Sequence, residues 1–523
     1  MTSPTYETWS CEELISRLRE LDKAHPTVDP QVSSAAPRNA EAGPSKLFDM
    51  LAYPRRKIAL KFCYSGWEYN GLVIQNDKTR LPTVEGTLYN ALASCKLIDG
   101  AAGPQACGWE RCGRTDVGVS SAAQVVSLWV RSNIGQADEQ TGPPSNQTES
   151  SSIRIEDGQE NPDSDFLPDP ESELPQLDAS EVESAPLPAI HELVERRQEL
   201  RYLTILNRIL PPSIRIIAWS PVSSSFSSRF NCKHRHYKYF FSPEGLSIDA
   251  MRDAAARLVG DHDFRNLCKL DPSKQLTVFR RNISRADISP ASVLANDDLA
   301  SDRSHMYVFD LIGNAFLYNQ VRHIMAILLL VGAGLEPPCV MTSLLNADPE
   351  RPEPPFLESD PPPELVTCKP EYQMADPLPL VLWECAYDDK DVKWQTDSPE
   401  KKHSAAANNL YQELHAIHTR SLIHSALDAT FLKAASAFHP APQPSPSPSH
   451  LSTLQSHFFE NSSKIVNVLL GGGMVRRIAG KNYIPLLRRK RLDHVNVVNE
   501  RWRNGKGRRK AAKQVAVADV EDE

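Results

Sequence analysis

The sequence contains no segment that would place the chain in a membrane or send it out of the cell. Its longest apolar run, residues 324–331, is far shorter than the roughly 20 residues that a membrane-spanning helix needs. The first residues, MTSPTYETW, lack the basic and apolar regions of a signal peptide. We therefore expect a protein that neither spans a membrane nor is secreted.

Cysteine pairs with the spacing of metal sites are also absent. None of the 10 cysteines forms a CxxC pair, and Cys107 and Cys112, the closest two, have no second pair or His-x3-His motif nearby. This pattern argues against the common zinc-binding motifs. It favours reduced, mostly structural thiols in an intracellular protein.

An overall excess of basic charge, typical of nucleic-acid-binding proteins, is missing because the formal net charge is -8. The charge is unevenly distributed, however. Residues 135–190 contain fourteen acidic residues and one basic residue, Arg154, whereas residues 488–513 contain eleven Lys or Arg. The acidic, Ser- and Pro-rich composition predicts a disordered insertion at 135–190. The basic tail could bind nucleic-acid phosphates, act as a nuclear import signal, or be only a solvated tail.

Hydrophobic periodicity predicts a mixture of helices and strands in the rest of the chain. The predicted helices are 12–23, 83–92, 192–210, 249–259 and 319–331, and the predicted strands are 56–64, 124–130, 214–219, 237–241 and 378–383. Thr83 is a candidate N-cap, and the Pro- and Glu-rich residues 351–370 are a predicted long loop. Helices mixed with antiparallel-looking strands predict an α+β fold.

The motif RCGRTDVGV, residues 111–119, contains the first candidate for a reactive side chain. Gly113 and Gly118 flank the triplet that ends in Asp116, so the backbone can turn sharply and a ligand can approach closely. An aspartate on such a turn can act as a nucleophile, a general base or a metal ligand. It can equally be a hydrogen-bonded aspartate that only stabilises a tight turn, and this motif alone favours that alternative.

The second motif, NCKHRHYKY at residues 231–239, combines basic and aromatic side chains. If Tyr237 and Tyr239 share one face of a strand, their rings could stack on bases while Lys233, Arg235 and Lys238 contact phosphates. The alternative is an exposed basic edge strand with two half-buried tyrosines.

The third motif, FLYNQVRHIM at residues 316–325, places Arg322 at the start of a very apolar helix. An arginine among apolar residues needs a carboxylate partner, because an unpaired buried charge is costly. An ordinary structural salt bridge would satisfy this need as well as a catalytic pair would.

These motifs, in this order, resemble the signature of the tRNA pseudouridine synthase A family. The resemblance extends from about residue 56 to residue 383, interrupted by the acidic insertion. Similarity is closer to the eukaryotic branch that modifies uridines 38 and 39 in the tRNA anticodon stem-loop. The segments behind this finer match are YSGWEYNG (64–71), RYLTILNRILP (201–211), DHDFRNLCKLD (261–271), YIPLLRR (483–489) and NERW (499–502).

The resemblance implies a pseudouridine synthase fold with two α/β subdomains. Their mixed, mainly antiparallel sheets would flank a central RNA-binding cleft. The expected division is an N-terminal helix and flexible segment (1–50), catalytic subdomains (51–134 and 191–390), the disordered acidic insertion (135–190), and a partly disordered extension with the basic tail (391–523). The implied reaction converts uridine to pseudouridine. No electrons or groups enter or leave, so it requires no cofactor and no metal.

Carried over position by position, the resemblance makes Asp116 the nucleophile and Tyr237 the residue that packs against the target base. Arg322 would be the ion-pair partner that lowers the pKa of Asp116 and keeps it charged. Arg114 would help to displace the flipped nucleotide, and Leu378 would line the pocket.

The sequence departs from the family pattern at Ser121, where a small residue, usually alanine, is expected, and at Pro379, where an aromatic or polar residue is common. His236 would either touch RNA or face solvent. The implied partner is tRNA, with a possible homodimer, in the nucleus and cytoplasm. Two alternatives remain: a sister synthase with other target uridines, and a non-catalytic tRNA-binding protein of the same fold.

Overall fold

The computed structural model describes residues 48–75, 79–134, 198–291, 306–397, 408–439 and 465–509. The predicted helix at 12–23 and the predicted acidic insertion at 135–190 lie outside these residues. None of the helices found in the described ranges is both long and apolar enough to span a membrane.

Nine strands of the described chain form a single mixed sheet. They are β1 (Arg55–Tyr64), β2 (Glu110–Arg111), β3 (Ser120–Arg131), β4 (Ile214–Pro221), β5 (His234–Phe241), β6 (Gly260–Asp263), β7 (Arg280–Pro290), β8 (Tyr307–Gly313) and β9 (Leu380–Ala386). Their order is β4-β1-β3-β9-β5-β8-β7-β6, and β2 pairs with β3 beside this path. The pairing of β3 with β9 is parallel, while the other pairings in this sheet are antiparallel. This β3–β9 pairing joins the two halves of the sheet.

The described chain also contains eight α-helices, most of which pack against the sheet. They are α1 (Val84–Ser94), α2 (Gly103–Ala106), α3 (Tyr202–Ile209), α4 (Ile248–Ala256), α5 (Gln320–Gly332), α6 (Val340–Leu345), α7 (Asn408–Ser436) and α8 (Val495–Trp502). Together with the mainly antiparallel sheet, they confirm the predicted α+β fold. The C-terminal region adds a separate two-stranded hairpin, β10 (Ile465–Gly471) and β11 (Met474–Ala479).

Two hydrophobic cores lie on the two halves of the sheet. The smaller one packs α1 and α3 against β1, β3 and β4, with residues such as Leu92, Leu206 and Phe62 fully buried. The larger one surrounds α5, of which every residue is buried. Because burying one large aliphatic side chain contributes roughly 2 kcal/mol, α5 is the main anchor of the C-terminal half. The buried backbone of α5 therefore fixes the position of polar side chains at its first turn, such as Arg322.

Several predicted elements are confirmed, and the differences have local causes. Thr83 caps α1, since its side chain accepts a hydrogen bond from the Gly86 N–H at 3.2 Å. The helix predicted at 192–210 is shorter in its described part, beginning at Tyr202. The strand predicted from Leu378 begins at Leu380, because the Leu378 N–H binds the Asp376 side chain and Pro379 has no N–H to donate.

Strands β2, β6, β7 and β8 of the main sheet were not predicted. The exposed and half-buried residues of β7 do not alternate regularly, so periodicity gave little signal there. Residues 351–370 contain no helix or strand, as expected for a long loop. In the predicted extension beyond residue 390, the described residues include α7, the β10–β11 hairpin and α8.

Candidate active site

Asp116 lies on the turn that leads into β3, at the junction of the two halves of the sheet. Gly118 has a φ of +83°, and a Cβ there would lie 2.9 Å from Cγ of Pro377. Only glycine therefore fits this position without displacing the neighbouring segment. The turn is anchored by Thr115, whose side chain shares a buried hydrogen bond of 2.6 Å with the Tyr64 hydroxyl. The Asp116 side chain itself stays 26% exposed.

Two side chains from the start of α5 meet the Asp116 carboxylate. The Asn319 side-chain amide donates a hydrogen bond to Oδ2, and Nη1 of Arg322 lies 3.8 Å from the same oxygen. The structure thus brings together the aspartate and the arginine that the sequence singled out separately. Nε of Arg322 donates to the Ala375 carbonyl oxygen at 2.8 Å, which fixes the guanidinium from its other side.

Asn319 was not among the predicted site residues. It precedes α5 with a left-handed φ of +57°, a conformation that asparagine tolerates better than most residues. The available signal was its position in the third motif, three residues before Arg322. Its role depends on a backbone angle that the motif does not reveal.

Burial raises the pKa of Asp116, and the charges of Arg322 and Lys269 and the Asn319 hydrogen bond lower it only in part. The net pKa lies above the ordinary value. Arg322 contributes in the predicted direction, since its charge lowers the pKa of Asp116, but burial outweighs that contribution. The physical reason is that a long ion pair does not compensate for the water lost by a mostly buried carboxylate. Such an incompletely stabilised carboxylate is typical of reactive sites.

Tyr237 lies on β5, between β9 and β8, and its side chain points into the larger core. Its ring packs edge-on against Phe316, with 4.9 Å between ring centroids. Tyr237 is 8% exposed, and Tyr239 on the same face is fully buried, with its hydroxyl donating to the Asp376 carbonyl oxygen at 3.0 Å. The shared face is confirmed. The prediction that Tyr239 stacks on a base is wrong, and so is the alternative that β5 is an edge strand.

The basic residues of the second motif are bound within the protein. Nζ of Lys233 lies 2.8 Å from an Asp388 oxygen, and Nζ of Lys238 lies 3.0 Å from an Asp310 oxygen. The guanidinium of Arg235 donates to the carbonyl oxygens of Cys112, Arg229 and Asn314. These three cations hold loops and strands together, so the expected phosphate contacts find no support here.

The remaining predicted residues lie at the surface. Arg114 is exposed, and Leu378 is 47% exposed in the segment whose Pro377 packs on Gly118.

Ser121, a departure from the family pattern, is buried and donates its hydroxyl to the Leu382 carbonyl oxygen at 2.9 Å. This bond reinforces the parallel β3–β9 pairing, which explains why a serine is accommodated there.

A cationic and aromatic cluster that we did not predict borders the carboxylate. Tyr318 is 42% exposed, and Nζ of Lys269 and Nζ of Lys274 lie 5.5 and 5.8 Å from its ring centroid. The Lys269 N–H also donates to the Tyr318 carbonyl oxygen at 2.8 Å. Burial, Asp116 and Asp271 raise the pKa of Tyr318, while Arg322 and Arg114 act against that rise. The mouth of the site therefore combines an exposed ring with several cations, which suits a polyanionic aromatic ligand.

Comparison with known proteins agrees with this chemistry. A family model described as tRNA pseudouridine synthase matches residues 254–388. The tRNA pseudouridine(38/39) synthase of Saccharomyces cerevisiae is 36% identical over 75% of this chain and 73% of its own length. The Homo sapiens protein of the same name is 34% identical over 79% of this chain and 73% of its own length. The tRNA pseudouridine synthase A of Methanosarcina mazei is 26% identical over 56% and 77%. With identity of this level along about three quarters of both eukaryotic relatives, the chain belongs to the tRNA pseudouridine synthase family.

Proposed function

We propose that this chain isomerises uridine to pseudouridine at positions 38 and 39 of the tRNA anticodon stem-loop, with Asp116 as the reactive carboxylate. The observation behind this proposal is the Asp116 carboxylate itself. It is partly exposed at the junction of the two halves of the sheet, and it contacts Asn319 and Arg322. The choice of uridines rests on the names of the Saccharomyces cerevisiae and Homo sapiens relatives.

The reaction rearranges one nucleotide without an external reactant. The bond from N1 of the base to C1′ breaks, the base rotates, C5 bonds to C1′, and a proton leaves C5 while N1 gains one. A carboxylate can assist by attacking C1′ or the base, or by removing a proton. Asp116 suits each of these roles, because partial desolvation leaves its charge poorly compensated.

The substrate base must leave the helix stack before Asp116 can reach it, at a cost of a few kcal/mol. We assign Arg114, exposed beside Asp116, to displacing the flipped nucleotide. Leu378 and the edge of the Tyr237 ring would line the pocket that receives the base. Arg322 would hold the carboxylate in place. The packing of Pro377 against Gly118 supports the placement of Leu378 near the carboxylate.

Lys269 and Lys274 would contact tRNA phosphates beside the flipped nucleotide. Replacing each with Ala should raise KM and lower the slope of log affinity against log salt by about one per phosphate contact. Lys233 is the control, because it is exposed and its ion pair with Asp388, at 2.8 Å, is shorter than the 3.7 Å pair between Lys274 and Asp271. Its Ala variant should keep the wild-type slope, and equal slopes in all variants would remove the phosphate assignment.

Chemical mapping of pseudouridine tests the main proposal. Wild-type protein should introduce pseudouridine at positions 38 and 39 of an unmodified tRNA, and Asp116→Ala should introduce none. Product at other positions would show a sister synthase with different targets. tRNA binding without any product, in both proteins, would show the non-catalytic alternative.

We also propose a homodimer in the nucleus and cytoplasm. The family resemblance supports the dimer, and the basic C-terminal segment supports nuclear import. Within that segment, residues 488–509 include α8 and an Arg501–Asp493 ion pair of 2.8 Å, so this part is not merely a solvated tail. A molar mass equal to that of one chain, measured in solution by light scattering, would contradict the dimer. Unchanged localisation after removal of residues 503–513 would contradict the import signal.

A further inference from the structure

The hairpin formed by β10 and β11 has a turn built entirely of glycine. Gly471 pairs with Met474, so Gly472 and Gly473 form a two-residue turn with φ of +59° and +77°. Positive φ at both positions is the requirement of a type I′ turn. The hairpin packs against the larger core through Val468 and Leu469, which are half-buried, and its Val466 is buried.

The tip of the hairpin, residues 470–472, contacts the segment just before β9. The Asp376 N–H donates to the Leu470 carbonyl oxygen at 2.7 Å. A Cβ on Gly471 would overlap the Tyr239 hydroxyl oxygen, and a Cβ on Gly472 would lie 2.8 Å from Oδ1 of Asp376. A Cβ on Gly473, in contrast, would have nothing within 4 Å. The two glycines of the turn thus share a backbone conformation but differ in their contacts.

The segment under the tip, residues 375–378, touches both sides of the candidate active site. We call it the strap. Its Ala375 N–H donates to the Arg322 carbonyl oxygen at 3.1 Å, and the Ala375 carbonyl oxygen accepts from Nε of Arg322 at 2.8 Å. Its Pro377 packs against Gly118, two residues after Asp116. Arg322 and two hairpin residues, Leu470 and Met474, also line one small cavity of about 160 Å³.

We propose that the hairpin tip is a positioning element of the active site: it seats the strap, and the strap holds Arg322 at its distance from the Asp116 carboxylate. This inference rests on the proposed roles of Asp116 and Arg322. It assigns a function to residues outside the matched family region, 254–388. Displacing the tip would release Ala375, allow Arg322 to move, and leave the buried carboxylate with less compensating charge.

Displacement of the hairpin tip should change the pH dependence of the reaction. The Asp116 carboxylate would lose compensating charge, and that loss raises its pKa further. The other charged or titratable groups around Asp116 and Arg322 are Arg114, Tyr239, Lys269, Tyr318, His323, Lys369 and Asp376. Burial lowers the pKa of His323 to about 2, with Lys369, Arg322 and Lys269 acting in the same direction. Burial also lowers the pKa of Lys369 to about 8. His323 therefore stays neutral through the acid limb of a rate profile, and Lys369 affects only the alkaline limb.

The test compares Gly472→Ala with Gly473→Ala in the full-length protein. Gly472→Ala should lower kcat about tenfold, leave KM within about twofold, and move the acid limb to higher pH. Gly473→Ala should match wild type in kcat and in pH profile. The two variants distinguish lost contacts from backbone strain. A type I′ turn tolerates Asn or Asp at its first position, here Gly472, but prefers glycine at its second, here Gly473. Backbone strain alone therefore predicts that Gly473→Ala is the more damaging variant, and that outcome would overturn the proposal.

A rescue variant guards against simple misfolding. Gly471→Ala should lower kcat as Gly472→Ala does, and adding Tyr239→Phe should restore part of the loss by removing the hydroxyl that the new Cβ meets. Hydrogen exchange at the Ala375 and Asp376 amides should accelerate in Gly472→Ala and not in Gly473→Ala. If the wild type is active and Gly472→Ala and Gly473→Ala have the same kcat and pH profile, this inference is refuted but the proposed function is not. A wild type that makes no pseudouridine would refute the proposed function, and this inference with it.

Discussion

Two carboxylates, Asp310 on β8 and Asp116 on the turn before β3, have opposite environments. Asp310 on β8 lies 2.5 Å from Nε2 of His236 and 3.0 Å from Nζ of Lys238, and its side chain is 9% exposed. Asp116 has one amide donor and one arginine at 3.8 Å, and its side chain is 26% exposed. Burial raises the pKa of both. For Asp310 the bonds from His236 and Lys238 outweigh burial and lower the pKa, whereas for Asp116 burial prevails.

The comparison separates a structural carboxylate from a reactive one. A carboxylate surrounded by close cations is stabilised in its charged form and has little tendency to attack or accept a proton. Asp116 is held in position but incompletely compensated, which leaves it available to a substrate. Changes at Asp116 and Arg322 should therefore mainly lower activity. Changes at Asp310 should mainly lower the free energy of unfolding.

Replacing Asp116 should have the largest effect on activity. Asp116→Ala and Asp116→Asn should each lower kcat/KM by at least about 10³-fold, because the reactive group is lost. Asp310→Asn should stay within about threefold of wild type at a temperature where it is folded. Pseudouridine formation on one tRNA measures all three variants. A loss of equal size in Asp310→Asn would remove the distinction between the two carboxylates.

Removing the cation beside Asp116 should have the next largest effect. Arg322→Met keeps much of the aliphatic side chain but not the charge, so kcat should fall by about 10²-fold. Because Arg322 lowers the pKa of Asp116, its loss should move the acid limb of kcat/KM to higher pH. A lower rate with an unchanged acid limb would show that Arg322 acts on the substrate and not on Asp116.

Asp310→Asn should mainly reduce stability. Lys238 and His236, both half-buried, would lose the carboxylate that they contact, at a cost of about 2 kcal/mol in the free energy of unfolding. The folded state lowers the pKa of Asp310, so its contribution is present above the unfolded pKa and disappears as the pH falls through the folded pKa. Denaturant unfolding at neutral and acidic pH measures this difference. Asp287, opposite Asp310 on β7 and 46% exposed, is the control: Asp287→Asn should change stability by less than about 0.5 kcal/mol.

The smallest effect, opposite in sign, is expected for the stability of Asp116→Asn. Because the folded state raises the pKa of Asp116, the charged carboxylate costs stability at neutral pH, and an amide removes that cost. The melting temperature at pH 7 should equal or exceed that of wild type. The advantage should vanish in acid, where Asp116 becomes protonated. A lower melting temperature at neutral pH would mean that Asp116 is structural, like Asp310.

Much of this organisation followed from the sequence. The α+β fold, the family membership, the N-cap at Thr83 and the proximity of Arg322 to Asp116 are confirmed. The residues alone predicted only that Arg322 needs a carboxylate partner, and the family resemblance identified that partner as Asp116. The roles of Tyr237, Arg114 and Leu378 in the reaction stay predictions, as do the domain boundaries.

Other features depend on groups that are distant in the chain. Tyr239 seemed suited to base stacking until the fold placed Asp376 and the hairpin tip against its hydroxyl. Lys233 and Lys238 seemed free to meet phosphates until Asp388 and Asp310 were found beside them. Spacing along a strand determines which face a side chain occupies, but not which other segment covers that face.

The sequence by itself determined which residues could react: an aspartate between glycines, an arginine that needs a counter-charge, and a chain segment that must turn at Gly118. Tertiary structure alone decided how reactive that aspartate is. Its pKa depends on burial at the junction of β3 and β9, on a left-handed asparagine, and on an arginine held 3.8 Å away by the strap. Desolvation and charge–charge distance are properties of the packed molecule, and local sequence does not contain them.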